Sequence, residues 1–242
     1  MMERANKGNC MRLLAALLLG LALFNLCAAA AFTDAGQIRE TEAVNTLVDL
    51  GVLEGKEDGS FDPKGAVTRA EMCKIISVIL NGGKTPRLED PKHPMTNFSF
   101  SDVSGHWARY LIEYCCALGI ANGRADGTFD PDGTVTGREA AKMLLAMAGY
   151  EAEAAGFTGV GWAKAVDEKA ETLGLYEGQA EEAEDEPLDR EHAALMVYHS
   201  LNLDMVSYWE QVERPDGSGW ENRRLETPEK IGETVMERFF GL

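Results

Sequence analysis

The chain has 242 residues, with 40 acidic side chains against 23 basic ones and a formal charge of −17. Such a surface repels phosphate backbones, which excludes nucleic acid as a partner and leaves any anionic ligand to be caught locally by a few placed cations. Once an N-terminal leader is set aside, about 210 residues remain, enough for one compact set of repeats or two small domains.

Residues 1–30 have the form of a signal peptide. Arg4, Lys7 and Arg12 precede an apolar stretch from Leu13 to Leu26 that is too short to span a bilayer, and the small residues Ala28 to Ala31 follow. Cleavage near Ala30 is expected to leave a secreted chain that starts at the first repeat. Cys27 follows the bulky Leu26 where lipid modification wants a small residue. No second long apolar segment follows, so no membrane contact is expected after cleavage. The leader's loss leaves 20 basic residues facing 39 acidic ones.

From Phe32 onward the sequence repeats itself at an offset of 68. Phe32 and Asp34 return as Phe100 and Asp102, Gly55 as Gly123, and Asp58-Gly-Ser-Phe-Asp-Pro63 as Asp126-Gly-Thr-Phe-Asp-Pro131. Gly65, Val67, Thr68, Glu71 and Lys74 return as Gly133, Val135, Thr136, Glu139 and Lys142. Tandem copies suit a binding or scaffolding module, because each buries its apolar face against its neighbours. Within a copy, Ala43, Val44, Leu47 and Val48 recur at helical spacing before the stop Gly51; Leu111, Ile112, Cys115 and Leu118 do the same before Gly119. The loop that follows is turn chemistry, with Phe61 and Phe129 expected as core plugs. Thr68 with Glu71, and Thr136 with Glu139, spell a capping box that starts a second helix. Cys73, Cys115 and Cys116 lie on apolar stripes and are expected to be buried thiols; no paired Cys or His spacing fits zinc.

A third, worn copy follows at an offset of 55. Trp107 returns as Trp162, Leu118-Gly119 as Leu173-Gly174 and Gly123 as Gly178, while an acidic run, Glu181 to Glu186, replaces the loop and Asp189 takes the capping threonine's place. Three helix pairs can close around a pseudo-threefold axis and hide the apolar ends of an open array. The expected class is mainly α, with repeats over 32–95, 96–159 and 160–203. Residues 204–242 form a tail of unassigned role, in which Pro215-Asp216-Gly217 lies between two strand-like runs as a short β-hairpin, with a short helix to Phe240. Tyr208, Trp209 and Trp220 are expected to pack on the third repeat.

Phe100-Ser-Asp-Val103, His106-Trp-Ala108, Gly119-Ile-Ala-Asn-Gly123 and Asp126-Gly-Thr-Phe129 resemble an S-layer homology repeat, and Thr68-Arg-Ala-Glu71 matches that family's second-helix signature. The resemblance spans Phe32 to about Leu203. It implies a three-pronged helical spindle that holds a surface or S-layer protein noncovalently to secondary cell-wall polysaccharide, often through a pyruvylated sugar. It further implies polysaccharide contacts by Arg69, Trp107, Arg138, Trp162 and Arg190, no cofactor, and a place at the cell wall. The first copy departs with Arg39 at the tryptophan position, the second with Gly137-Arg138 for Arg-Ala, and the third with His192 for the glutamate. Self-association is a further partner that the reading leaves open.

The site chemistry has its own argument. An arginine in a helix's first turn opposes the macrodipole, and either a ligand carboxylate or an internal acid would compensate. Trp107 and Trp162 can each stack on a sugar or fill the core. A calcium-dependent docking module is the alternative: Gly65 and Gly133 stand sixth in EF-hand spacing, with Asp62 and Asp130 third and Glu71 and Glu139 twelfth. Ser60 and Thr128, however, occupy the first ligand position, and Lys64 the fifth in the first copy. A wall-glycan hydrolase is a further alternative, but the acids sit in turns, caps and a charge run, and the four histidines lack an evident nucleophile partner. The reading is therefore non-catalytic.

Overall fold

The structure is a computed structural model that describes residues 32–87, 100–179 and 183–242; the leader lies outside the described residues. Six helices make up the repeats: α1 (Thr41–Asp49) and α2 (Arg69–Leu80), α3 (Arg109–Ala117) and α4 (Gly137–Met147), α5 (Trp162–Thr172) and α6 (Arg190–Ser200). The chain ends in a hairpin of β1 (Asp204–Glu213) and β2 (Trp220–Thr234), then a short helix α7 (Val235–Phe240). No helix among the described residues is long and apolar enough to cross a membrane.

The capping chemistry legible in the sequence is present. Thr68 and Thr136 each accept from the N–H three residues on, Glu71 and Glu139 reach back to the cap amides, and Asp189 accepts from the His192 N–H at 2.9 Å. These caps fix where the second helices begin, and the segments just before them meet at the centre. The Val67 N–H donates to the Leu188 carbonyl at 2.8 Å, the Leu188 N–H to Val135 at 2.9 Å, and the Val135 N–H to Val67 at 3.0 Å. Three strands' worth of backbone thus satisfy one another in a closed ring around the pseudo-threefold axis, and the three side chains are buried beneath it.

Each prong is built from two repeats rather than one. α2 packs on α3, α4 on α5, and α6 returns to α1. The last contact joins the ends of the repeat region. Glu191, 1% exposed, accepts from the Glu40 N–H at 3.1 Å and from the Arg39 N–H, so a carboxylate of the third repeat caps the first helix of the first. Lys64 joins it at 3.2 Å. The three thiols are buried where expected, and the Cys115 Sγ lies against the Cys73 carbonyl across the α2–α3 prong. Burial pushes the Cys116 thiol up to about 12, which leaves it unreactive at neutral pH.

The tail departs from expectation in where it docks. Rather than resting on the third repeat alone, it crosses the C-terminal ends of all three second helices. The Val206 N–H donates to Ala148 beyond α4 at 2.9 Å, the Met236 N–H donates to Leu201 beyond α6 at 2.8 Å, and Phe239 and Phe240 lie against Gly82 and Gly83 beyond α2. Tyr208 is buried, but Trp209 and Trp220 are exposed and do not pack on the repeats. The sequence reading treated them as one cluster; burial separates them, with Tyr208 2% and Trp209 49% exposed.

Two predictions test this architecture. Gly149 has φ +102°, and a Cβ there would meet the Val206 carbonyl oxygen at 2.1 Å. Gly149→Ala should therefore release the hairpin while the repeats stay folded, seen as protease cleavage confined to residues 204–242; an unchanged digestion pattern contradicts the docking. The second concerns pH. Burial disfavours the charged forms of Asp34, Asp102 and Glu191, yet backbone amides outweigh it and hold all three carboxyls below their usual 3.8 or 4.5. Groups depressed in the folded state contribute stability above their unfolded values and lose it as pH falls through the folded ones. The urea midpoint should be level above about pH 5 and fall steadily below about pH 4, and a midpoint constant down to about pH 3 contradicts it.

Candidate functional site

The site grows from the turn between the two helices of a repeat. Asp102 accepts from the Phe129 and Asp130 N–H groups, at 2.9 and 2.7 Å, and Asp34 does the same for Phe61 and Asp62. That pair of hydrogen bonds pins a loop in which Asp62 and Asp130 adopt positive φ. Phe61 and Phe129 are fully buried plugs, each 5.5 Å from the repeat's leading Phe32 or Phe100.

An arginine from the neighbouring repeat grips each pinned loop. Arg69 donates from Nε to the Phe129 carbonyl at 3.0 Å and from Nη2 to the Asn122 carbonyl at 2.8 Å, with its Cζ 4.6 Å above the Phe129 ring. Arg190 repeats this grip on the first loop, bonding the Phe61 carbonyl at 2.7 Å and Glu54 at 3.2 Å, 4.9 Å above the Phe61 ring. Both arginines therefore staple one repeat to the next. The argument from a bare helix start needs correcting. The first two amides of α2 already donate to Gly133 and Pro131, those of α6 to Gly65 and Pro63, and the cap oxygen takes the third. Carbonyls of the neighbouring loop, rather than an anion, compensate these helix ends.

Beside Arg69 opens a groove of about 330 Å³ between the second and third repeats. Its walls include Arg69, Asn122, Arg124, Glu139, Lys142 and Trp162. With Nε and Nη2 engaged, Nη1 is the part of Arg69 that remains, 3.7 Å from Glu139. Lys142 stands 5.1 Å from the Trp162 ring, and burial lowers the pKa of its ammonium. No ion-pair partner is found for Lys142 among the described residues. Arg124 is held by Asp130 at 2.7 Å.

The other two repeat junctions differ at the same positions. In the first repeat, Lys74 pairs with Glu54, the residue that stands where the second repeat has Asn122, so the lysine is neutralised. At the junction of α4 with the third repeat, Gly137 takes the gripping arginine's place. Arg138, one residue on, turns to Asp167 at 2.8 Å and to Asp185, with the Tyr176 hydroxyl donating to Asp167 at 3.1 Å. These carboxylates raise the Arg138 pKa. Of the five candidate residues, the structure brings Arg69 and Trp162 together in one groove. It commits Arg190 to Phe61 and Arg138 to internal acids, and leaves Trp107 60% exposed beside His106. Lys142 is the residue the sequence reading missed; its signal was the recurrence of Lys74 at the same offset.

The loops do not present an EF-hand ligand set. Glu71 and Glu139 spend their carboxylates on the cap amides, and Asp62 and Asp130 face Lys56 and Arg124. Among the described residues no group of three or more His, Cys, Asp or Glu is arranged to hold a metal.

The fold is thus a set of helical repeats closed into a ring, with a groove at a repeat junction. The chain carries the S-layer homology domain, whose family pattern matches residues 31–73 and again 99–141. It is similar to a cell surface protein of Thermoanaerobacter kivui, 30% identical over 69% of this chain and 20% of that one. The S-layer protein sap of Bacillus anthracis is 31% identical over 43% of this chain and 12% of its own, and the cellulosome-anchoring protein of Acetivibrio thermocellus 28% over 42% and 22%. A relative in B. anthracis is named an uncharacterized cell wall amidase, at 30% over 59% of this chain and 25% of that one. The chain thus spans a quarter or less of the length of these relatives.

Because Arg69 staples two repeats, Arg69→Ala should cost fold stability as well as any ligand contact, about 2–3 kcal/mol for the lost charge-assisted bonds. Thermal and urea unfolding measure this; a loss under about 0.5 kcal/mol would show that the grip is not structural. Millimolar calcium should leave the melting temperature unchanged, and a large chelator-reversible rise would restore the calcium alternative.

Proposed function

We propose that this chain is exported and holds itself, without catalysis, to secondary cell-wall polysaccharide through the groove between its second and third repeats. The observation that carries the reading is Lys142, for which no ion pair is found among the described residues, beside Trp162 and the Arg69 guanidinium, whose Nη1 lies 3.7 Å from Glu139. A partly desolvated ammonium and a guanidinium edge suit a carboxylate on a sugar, such as a pyruvyl substituent, and an indole suits the sugar's C–H face. Local cations of this kind are what a chain of charge −17 needs to retain an anionic polymer. The junctions in which Lys74 and Arg138 are neutralised are assigned a structural role, as are the grips of Arg190.

The direct test is sedimentation with purified wall sacculi, before and after their secondary polymer is stripped. Lys142→Ala should weaken binding on the order of tenfold with little change in unfolding, since it removes one charge-assisted contact. Arg69→Lys should lose part of both binding and stability, as a point charge cannot reproduce the planar fork. The most discriminating variant imports the first repeat's pairing: Asn122→Glu should neutralise Lys142 as Glu54 neutralises Lys74, and shut the groove without unfolding the domain. Undiminished binding by a folded Asn122→Glu variant would overturn the assignment. Equal binding to stripped and intact sacculi would overturn the polysaccharide.

A further inference from the structure

The terminal hairpin presents a face whose chemistry differs from that of the groove. Its register sets Trp209 opposite Arg224, Gln211 opposite Asn222 and Glu213 opposite Trp220. Alternate residues of a strand share a face, so these six side chains lie together, while Tyr208 points inward and is 2% exposed. Trp209 is 49% and Trp220 65% exposed, and Gln211 and Asn222 are exposed between them. Two indoles thus stand at diagonal corners of the patch, about 13 Å apart along the strands at the usual rise. A pair of amides fills the middle.

Charge indicates what such a face takes. With the Arg224 guanidinium bonded to Glu151, the patch offers no free cation and one carboxylate, Glu213, on a strongly acidic molecule. Arg224 is unavailable to an anion, because its two terminal nitrogens bond Glu151 at 3.3 and 2.7 Å. Its Cζ lies 5.3 Å over Trp209 and 5.8 Å over Tyr208, which holds the Trp209 indole in place. An apolar protein partner would have to bury Gln211 and Asn222 without partners for their amides. A ligand with C–H faces for the indoles and hydroxyls for the amides satisfies every group, since each amide both donates and accepts. That ligand is an uncharged pyranose chain. The Arg224–Glu151 bonds tie the near end of the patch to the repeats, which lowers the ordering cost of binding there.

We propose that the outer face of the hairpin is a second glycan-binding site, specific for a neutral polysaccharide strand and independent of the anionic groove. The test uses the full chain with insoluble chitin and cellulose, together with soluble chito- and cello-oligosaccharides followed by tryptophan fluorescence. At least one of these should bind. Trp209→Ala and Trp220→Ala should each weaken that binding on the order of tenfold, with Trp220→Tyr recovering part. Lys142→Ala should leave it intact, which separates this site from the groove. Absence of binding to all of these neutral glycans overturns the proposal, as does binding that the tryptophan variants do not change. If the parent chain is a dimer by light scattering and Trp220→Ala makes it a monomer, the face is a self-association surface and the proposal fails.

Discussion

Three backbone hydrogen bonds at the axis hold this molecule in its shape. Val67, Leu188 and Val135 each donate to the next in a closed cycle, so no repeat can satisfy both its central N–H and its central carbonyl without the other two. An unpaired buried amide costs about 1–3 kcal/mol, and breaking one member of the cycle exposes donors and acceptors on both neighbours. Closure therefore explains why a worn third copy persists as a full helix pair. Leu188 must be present at the axis, and α6 must reach α1, whatever has happened to the loop between α5 and α6.

The same closure makes every junction an exchange between repeats, and the junctions have diverged. Arg69 and Arg190 use identical contacts, two carbonyls and one phenyl face, to clamp the next repeat's turn. A guanidinium suits this task because its fork satisfies two carbonyls while its plane covers an aromatic ring. What differs is the residue beside the clamp. Glu54 cancels Lys74, whereas Asn122 cannot cancel Lys142, and one substitution between equivalent positions separates a closed junction from a charged groove. The clamp thus belongs to the fold, and its neighbours decide what the junction offers to a ligand.

Most of the fold was legible because it rests on local chemistry. Helical spacing, Gly stops and Thr-x-x-Glu boxes each act within a few residues, so α1 to α4 and both caps follow from the sequence. The Asp189 cap was legible for the same reason. Pairing of α2 with α3, and not with α1, was not, because apolar stripes state that a face is buried without stating against what. Nor could spacing reveal that Arg69 bonds residues 53 and 60 positions away. Nor could it show that the first amides of α2 and α6 bond carbonyls of the neighbouring repeat. The tail's reach was hidden likewise, since Ala148, Leu201 and Gly83 carry no mark of being docked upon. Lys142 was visible as a repeated lysine, but its importance lies in the difference between Glu54 and Asn122, a mismatch that a search for likeness passes over.

The proposed groove beside Arg69 has a consequence for how such a molecule would hold a wall. One site with a few polar contacts releases its sugar quickly, and an open junction cannot be compensated by siblings that are already paired. Retention then depends on a second contact on the same rigid body, because a tethered second site sees an effective concentration far above that of free chain and can raise avidity by about 10² to 10⁴ without new contacts. The base of the hairpin is fixed by Val206 on Ala148 and by Arg224 on Glu151, so the near end of its outer face is held relative to the groove. Rigidity of that kind favours a polymer that presents its anionic and neutral segments at one spacing. A flexible tail would have gained less specificity from the same residues. The clasp that closes the ends of the helices thereby also sets the geometry of the two proposed contacts.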